Sequence, residues 1–227
     1  MKPSWQLTWM GVGLLYVATV ASMGCGSSQK ATVRVVNASP GEGSITATVG
    51  GTSVATDLAY ATASSYTSVS SGSQTLDVEQ SGSSSSVANQ SINLSGGDDY
   101  TILLANYSSS VAVVTLTDNN TAPSSGDANL RVIHAAPALQ AVDIYVVAPG
   151  TALASVTPSA SDISFESATT YLPLAAGTWE IYFTLTGEKQ AYIDSGPLSL
   201  TSGYVYSLVG LDGSAGGYTS ALVTDVD

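Results

Sequence analysis

Ala31-Thr32-Val33-Arg34-Val35-Val36-Asn37-Ala38-Ser39-Pro40 and Ala128-Asn129-Leu130-Arg131-Val132-Ile133-His134-Ala135-Ala136-Pro137 match position by position at a constant offset of 97. A repeat on that scale sets the architecture before any single element is read. The register continues with small gaps. Tyr66 and Gly72 match Tyr171 and Gly177, and Ile92, Leu94, Gly97 and Tyr100 match Leu198, Leu200, Gly203 and Tyr206. The copies therefore run over residues 31–118 and 128–227. Between them lies a linker, residues 119–127, with the Asn, Pro, Ser and Gly content of a turn.

Inside each copy apolar residues alternate in short runs, the pattern of strands with one buried face, and no helical stretch competes. The first copy predicts strands over Thr32–Asn37, Ile45–Val49, Thr75–Glu79, Ser91–Leu94, Tyr100–Ala105 and Val111–Thr117. The second predicts them over Asn129–His134, Val142–Val147, Tyr171–Leu174, Thr178–Thr186, Ala191–Ile193, Leu198–Leu200, Tyr204–Gly210 and Thr219–Val223. Units of this size, with Gly, Ser and Pro turns at short intervals, predict an all-β chain of two tandem immunoglobulin-like antiparallel β-sandwich modules.

Residues 1–24 are a different material. Lys2 precedes an apolar stretch from Leu7 to Ala21, then small residues lead to Cys25, the order of a secretory signal peptide. The stretch is shorter than the roughly 20 apolar residues that span a bilayer. Ser22-Met23-Gly24-Cys25 resembles a bacterial lipobox, departing from it at Ser22. The resemblance implies cleavage before Cys25 and a lipid on its thiol, with residues 25–30 as a flexible tether. Cys25 is the only cysteine, so no internal disulfide can form. Gly26 stands where Asp would signal inner-membrane retention, which points to a cell-envelope protein of the outer membrane, periplasmic or surface-exposed.

Composition excludes several functions. Net charge is −12 and only 10% of residues are charged, against about 25% in an average soluble protein. The five basic residues form no patch, so neither nucleic acid nor anionic lipid is an electrostatic partner. His134 is the only histidine, no Gly-x-Ser-x-Gly elbow occurs, and period-two counting puts His134 on the core face of Leu130 and Val132. With no thiolate or histidine cluster, no metal and no cofactor are expected. Asp98, Asp99, Asp212, Asp225 and Asp227 form no spaced calcium loop and read as a solvated acidic face. Trp179 and the tyrosines Tyr145, Tyr182, Tyr192, Tyr204, Tyr206 and Tyr218 offer material for a ligand platform, although Trp179 alternates with Ile181 and Phe183 toward a core.

Arg131, His134, Pro137, Val142, Asp143 and Tyr145, followed by Tyr171-Leu172-Pro173-Leu174-Ala175-Ala176-Gly177-Thr178 and Leu198 to Tyr206, resemble the bacterial domain-of-unknown-function 4397 family, over most of Ala128 to Leu211. The resemblance implies a secreted or lipid-anchored β-sandwich, often in tandem, with no established catalytic role. The first copy is degenerate, with Asn37, Thr46 and Thr48 in place of His134, Asp143 and Tyr145. Arg131, His134, Pro137, Asp143 and Tyr145 are accordingly assigned to architecture, with His134 clasping the Pro137 loop through its backbone or through Asp143. The functional expectation is a structural or adhesion-like interaction module binding an envelope protein or polysaccharide, held to the membrane through lipid on Cys25. The alternative is a carbohydrate-binding protein or a hydrolytic enzyme of the cell surface.

Overall fold

The computed structural model of the chain describes residue 1 and residues 29–226, so the leader and Cys25 lie outside the described residues. No α-helix occurs among the described residues; a single 3-10 turn covers Leu153–Ser155.

The first copy contains β1 (Lys30–Asn37), β2 (Ile45–Val49), β3 (Thr52–Leu58), β4 (Thr62–Ala63), β5 (Thr67–Ser70), β6 (Gly72–Gln80), β7 (Ser86–Leu94), β8 (Asp99–Ala105) and β9 (Ala112–Asp118). They form two sheets, one ordered β4-β1-β8-β9 with β5 also on β1, the other β3-β2-β6-β7. The second copy repeats this with β10 (Asp127–His134), β11 (Val142–Val147), β12 (Ala160–Ile163), β13 (Ser167–Ala168), β14 (Leu172–Ala175), β15 (Gly177–Leu185), β16 (Ala191–Leu200), β17 (Val205–Asp212) and β18 (Tyr218–Val226). Its sheets are β13-β10-β17-β18, with β14 also on β10, and β12-β11-β15-β16. No sheet draws strands from both copies.

Each copy packs its two sheets around a core. Val33, Val35, Ile45, Leu76, Ile102 and Leu104 fill the first. Leu130, Val132, Ile144, Ile181, Phe183 and Leu208 fill the second, with Trp179 half-buried against it and its indole N–H donating to the Ala175 carbonyl at 2.9 Å. The turn that leads into β8 recurs at the matched positions. Gly97 N–H bonds the Lys30 carbonyl and Gly203 N–H bonds that of Asp127, both at 2.8 Å, with φ of 91° and 87° that only glycine adopts freely.

The all-β sandwich architecture is as the sequence predicts, with mostly antiparallel pairing, and two details differ. First, the sheets are not wholly antiparallel: β1 runs parallel to β8 and β10 parallel to β17. A parallel neighbour needs a long crossover, and here the intervening chain supplies it by building the opposite sheet. Second, β1, β8, β10 and β17 are buried on both faces. Val36, Ala38, Leu103 and Ala105 point away from their own core and pack against Ile133, Ala135, Val209 and Leu211 of the other copy in a third cluster. Burial on both faces explains why Tyr100-Thr101-Ile102-Leu103-Leu104-Ala105 is apolar almost without interruption instead of alternating.

Candidate functional site at the module junction

Arg34 and Arg131 occupy the junction faces of β1 and β10, where an isolated sandwich would point them at water. Both are buried, at 1% and 3% exposed. A buried guanidinium must be charge-paired and hydrogen-bonded, and each finds its carboxylate in the other copy. Arg34 Nη2 lies 2.6 Å from Asp225 Oδ1, and Arg131 Nη2 lies 2.7 Å from Asp118 Oδ1. The exchange is reciprocal: each matched arginine reaches the last strand of its neighbour. Contacts of that kind are what a two-fold relation between copies produces.

The remaining donors are satisfied in the same paired manner. Arg34 Nε donates to Thr101 Oγ1 at 2.9 Å, and Arg131 Nε donates to Ser207 Oγ at 3.2 Å. Each guanidinium lies 4.9 Å from the ring centroid of a tyrosine in its own copy, Tyr66 for Arg34 and Tyr171 for Arg131. The Tyr66 hydroxyl donates to Asp118 at 2.5 Å and the Tyr171 hydroxyl to Asp225 at 3.2 Å. Burial holds both phenols well above their ordinary titration range, so they remain donors. Burial also pushes the Asp225 carboxyl upward, against the pull of Arg34 and Arg131. Asp225, read from sequence as part of a solvated acidic face, has a fully buried side chain. The acidic-face expectation fails there because the junction removes that strand face from water.

His134 is fully buried at the end of β10. Its Nε2–H donates to the Gln140 carbonyl at 2.9 Å, and Nδ1 accepts from Ala136 N–H at 3.4 Å. These partners fix the tautomer and occupy both ring nitrogens with backbone. Burial lowers its pKa, opposed by the Gln140 bond. Half-buried Pro137 lies in the turn so clasped. In the first copy Asn37 Nδ2 donates to the Gly43 carbonyl at 3.0 Å, the position matched to Gln140. Asn37 therefore makes the clasp with an amide.

Asp143 takes no part in the clasp. Its two oxygens accept from Asp162 N–H and Gly187 N–H, each at 2.9 Å, and so tie β11 to its flanking loops. Tyr145 is buried, and its hydroxyl accepts from Lys189 Nζ at 3.0 Å. Arg131, His134, Asp143 and Tyr145 thus hold different parts of the second copy and converge on no common point. Sequence reasoning missed Asp118 and Asp225 as arginine partners. The available signal was an arginine at the same place in two otherwise apolar strands, with an aspartate near the end of each copy.

Two open clefts flank the braced junction. One, of about 560 Å³, is bordered by Asp118, Arg131, Thr169 and Tyr171. The other, of about 340 Å³, is bordered by Pro40 and Tyr107 of the first copy and by Ala138, Asp212 and Tyr218 of the second. No group of three or more His, Cys, Asp or Glu capable of holding a metal occurs among the described residues.

Fold and junction define a class: a tandem β-sandwich protein in which the buried charges join the copies. The chain belongs to the DUF4397 family, described as a domain of unknown function, which matches residues 31–145, just over half of its length. The matched stretch takes in the first copy, the connection, β10 and most of β11, and so begins earlier than the Ala128–Leu211 segment that carries the sequence resemblance. Among solved structures, the chain is similar to a family 26 carbohydrate-binding module, CBMbc from Eubacterium rectale Amy13K, determined in complex with maltoheptaose. Identity is 10%, coverage is 88% of this chain and 98% of that one, and the TM-score is 0.28, too low for the likeness to bear on ligand or activity. Comparison with curated proteins finds no match.

Proposed function

We propose that this protein is a lipid-anchored bacterial cell-envelope protein, placed at the outer membrane through Cys25, whose paired sandwiches form a rigid, non-catalytic interaction module. The observation that carries this reading is how the chemically capable side chains are used. Arg34, Arg131, Asp118 and Asp225 neutralise one another inside the junction, and both nitrogens of His134 are held by backbone. A general base needs a free lone pair within reach of substrate, and His134 has none to offer. What the surface presents instead is strand edges, Ser- and Thr-rich faces and a few tyrosines, which suit recognition of an envelope protein or polysaccharide.

Metabolic labelling with a fatty acid checks the anchor: label enters the wild type and not Cys25→Ala, and equal labelling of both removes the anchor from the proposal. Pull-down from envelope fractions with the soluble 31–227 fragment checks the interaction role, with a retained partner as the expected outcome. Turnover of a cell-wall substrate by that fragment would replace the module by an enzyme.

A further inference from the structure

The strand registers equate Asn106 with Asp212 and Tyr107 with Gly213, because β1 pairs Asn37 with Leu104 where β10 pairs His134 with Gly210. These positions meet at one end of the junction, and there the two-fold likeness of the copies breaks. One side carries a tyrosine on a turn; the other carries a carboxylate followed by a turn of glycines. The 340 Å³ cleft lies between them.

Its walls are preorganised. Asn106 has a left-handed φ of 68°, and its side-chain oxygen accepts from Tyr107 N–H at 2.8 Å, which fixes the turn. Tyr107 is 43% exposed, yet its hydroxyl donates to Asp212 Oδ2 at 3.0 Å, so the ring is held while a face stays in solvent. Tyr218 borders the opposite side and meets exposed Tyr192 edge-on at 6.1 Å between centroids. Asp212 is 7% exposed. Its carboxylate takes one bond from Tyr107 and one, at 3.4 Å, from Ala138 N–H, while the Tyr60 hydroxyl pins its backbone carbonyl at 2.5 Å. A carboxylate accepts about four bonds, so lone pairs remain for a ligand.

The floor is Gly213, Gly216 and Gly217. A Cβ on Gly213 would come within 2.7 Å of the Gly216 carbonyl oxygen, so that position cannot carry a side chain without moving the turn. Gly216 and Gly217 have φ of 91° and 73° and open space where a side chain would stand.

We infer that this cleft binds a neutral oligosaccharide, with the Tyr107 and Tyr218 rings against its sugar faces and Asp212 accepting from its hydroxyls. The inference rests on the interaction-module reading and names a ligand class for it. A pyranose has apolar C–H faces and hydroxyl edges, matched here by tyrosine rings and one oriented carboxylate. An aliphatic peptide anchor would find only Pro40 and Ala138 among the described side chains lining the cleft, and a proline-rich segment, poor in N–H donors, would leave the Asp212 carboxylate unsatisfied. Acidic sugars are disfavoured because Asp212 is the only charged residue there among the described residues, while Arg34 and Arg131 are consumed by the junction. Glycoside hydrolysis in most families uses a pair of carboxylates, whereas the described residues lining this cleft supply one.

Isothermal titration of the full chain with maltohexaose, cellohexaose and hexagalacturonate tests this, with Tyr107→Ala, Tyr218→Ala and the cleft-filling Ala138→Trp as variants and thermal melts as the folding control. Expected is saturable binding of at least one neutral hexaose and none of hexagalacturonate. Either tyrosine substitution should weaken binding about tenfold, and Ala138→Trp should abolish it. Absence of neutral binding at millimolar sugar overturns the inference, as does binding indifferent to all three variants. An envelope pull-down with the same full chain separates the two readings. A retained protein partner, without sugar binding, sinks the saccharide site and leaves the interaction module standing; retention of nothing, without sugar binding, sinks both.

Discussion

His134 and Asn37 do the same job with different chemistry, and the difference is measurable. Asn37 is neutral at every pH, whereas an unfolded histidine takes up a proton near pH 6.5. The folded pKa of His134 is lowered by burial, so its neutral-form contribution is fully present above that value and is lost as pH falls below it toward the folded pKa. Wild type should therefore lose stability between pH 7.5 and 5 by a component that His134→Asn lacks, read from urea unfolding at both values. His134→Ala should cost about 1–3 kcal/mol at pH 7.5, because the Gln140 carbonyl loses its buried donor. Equal stability of the two variants would remove the clasp. The junction charges follow a harsher rule. Asp225→Asn leaves Arg34 buried without its counter-charge and should cost about 3–5 kcal/mol, while the double variant Arg34→Met/Asp225→Leu should recover only the part due to the unpaired Arg34 charge, because the Tyr171 and Ser207 hydroxyls still lose their acceptor. A single substitution no worse than the double one contradicts the pairing.

Among the elements, those that face a core on one side were legible in the sequence. Ile45–Val49 and Val142–Val147 are read to the residue: alternation reports one buried face in the first, and in the second Val142, Ile144 and Val146 carry the core period although Asp143, Tyr145 and Val147 are buried as well. β3, β4, β5, β12 and β13 were not. Thr52–Leu58 and Ala160–Ile163 are edge strands in which most side chains meet water, so hydrophobic period carries no signal, and Thr62–Ala63 and Ser167–Ala168 are too short to have one. Ala191–Ile193 and Leu198–Leu200 belong to one strand, β16, whose pairing with β15 shifts register between them. The junction strands carried a signal of another kind. Val35-Val36, Ile102-Leu103-Leu104 and Leu208-Val209 break alternation in favour of apolar residues, and that excess marks the second buried face. Amide hydrogen exchange should follow the same division: β1, β8, β10 and β17 protected to near the global stability, β3 and β12 exchanging orders of magnitude faster. Uniform protection would mean that the edges are as well held as the centre.

At the scale of the whole molecule, the copies behave as a dimer made within one chain. Residues 128–226 expressed alone would expose Ile133, Ala135, Val209 and Leu211 and leave Arg131 without Asp118. The fragment should be β-rich, yet it should self-associate, with Arg131 meeting Asp225 of a second copy, and sedimentation should show dimers that dissociate when residues 29–118 are added in trans. A monomeric fragment as stable as the full chain would mean that the junction adds nothing to folding. The site was less legible than the fold, since its two reciprocal pairs are unlike in sequence, Arg34–Asp225 being 191 residues apart and Arg131–Asp118 only 13, and their equivalence becomes visible only when two sheets face each other.

The placement of β1 has a mechanical side. It enters the molecule directly from the stretch that follows Cys25, yet it is no edge: β8 flanks it on one side over Thr32–Asn37, and β5 and β4 flank it on the other. A pull applied at Gln29 along the strand therefore loads the hydrogen bonds of both flanks together, in shear, instead of peeling them one at a time. Rupture under such a load is governed by the unfolding rate. Single-molecule pulling from residue 29 should meet a higher force than pulling across β7, whose bonds to β6 can open like a zip. A body tethered at that end would carry drag through its strongest seam.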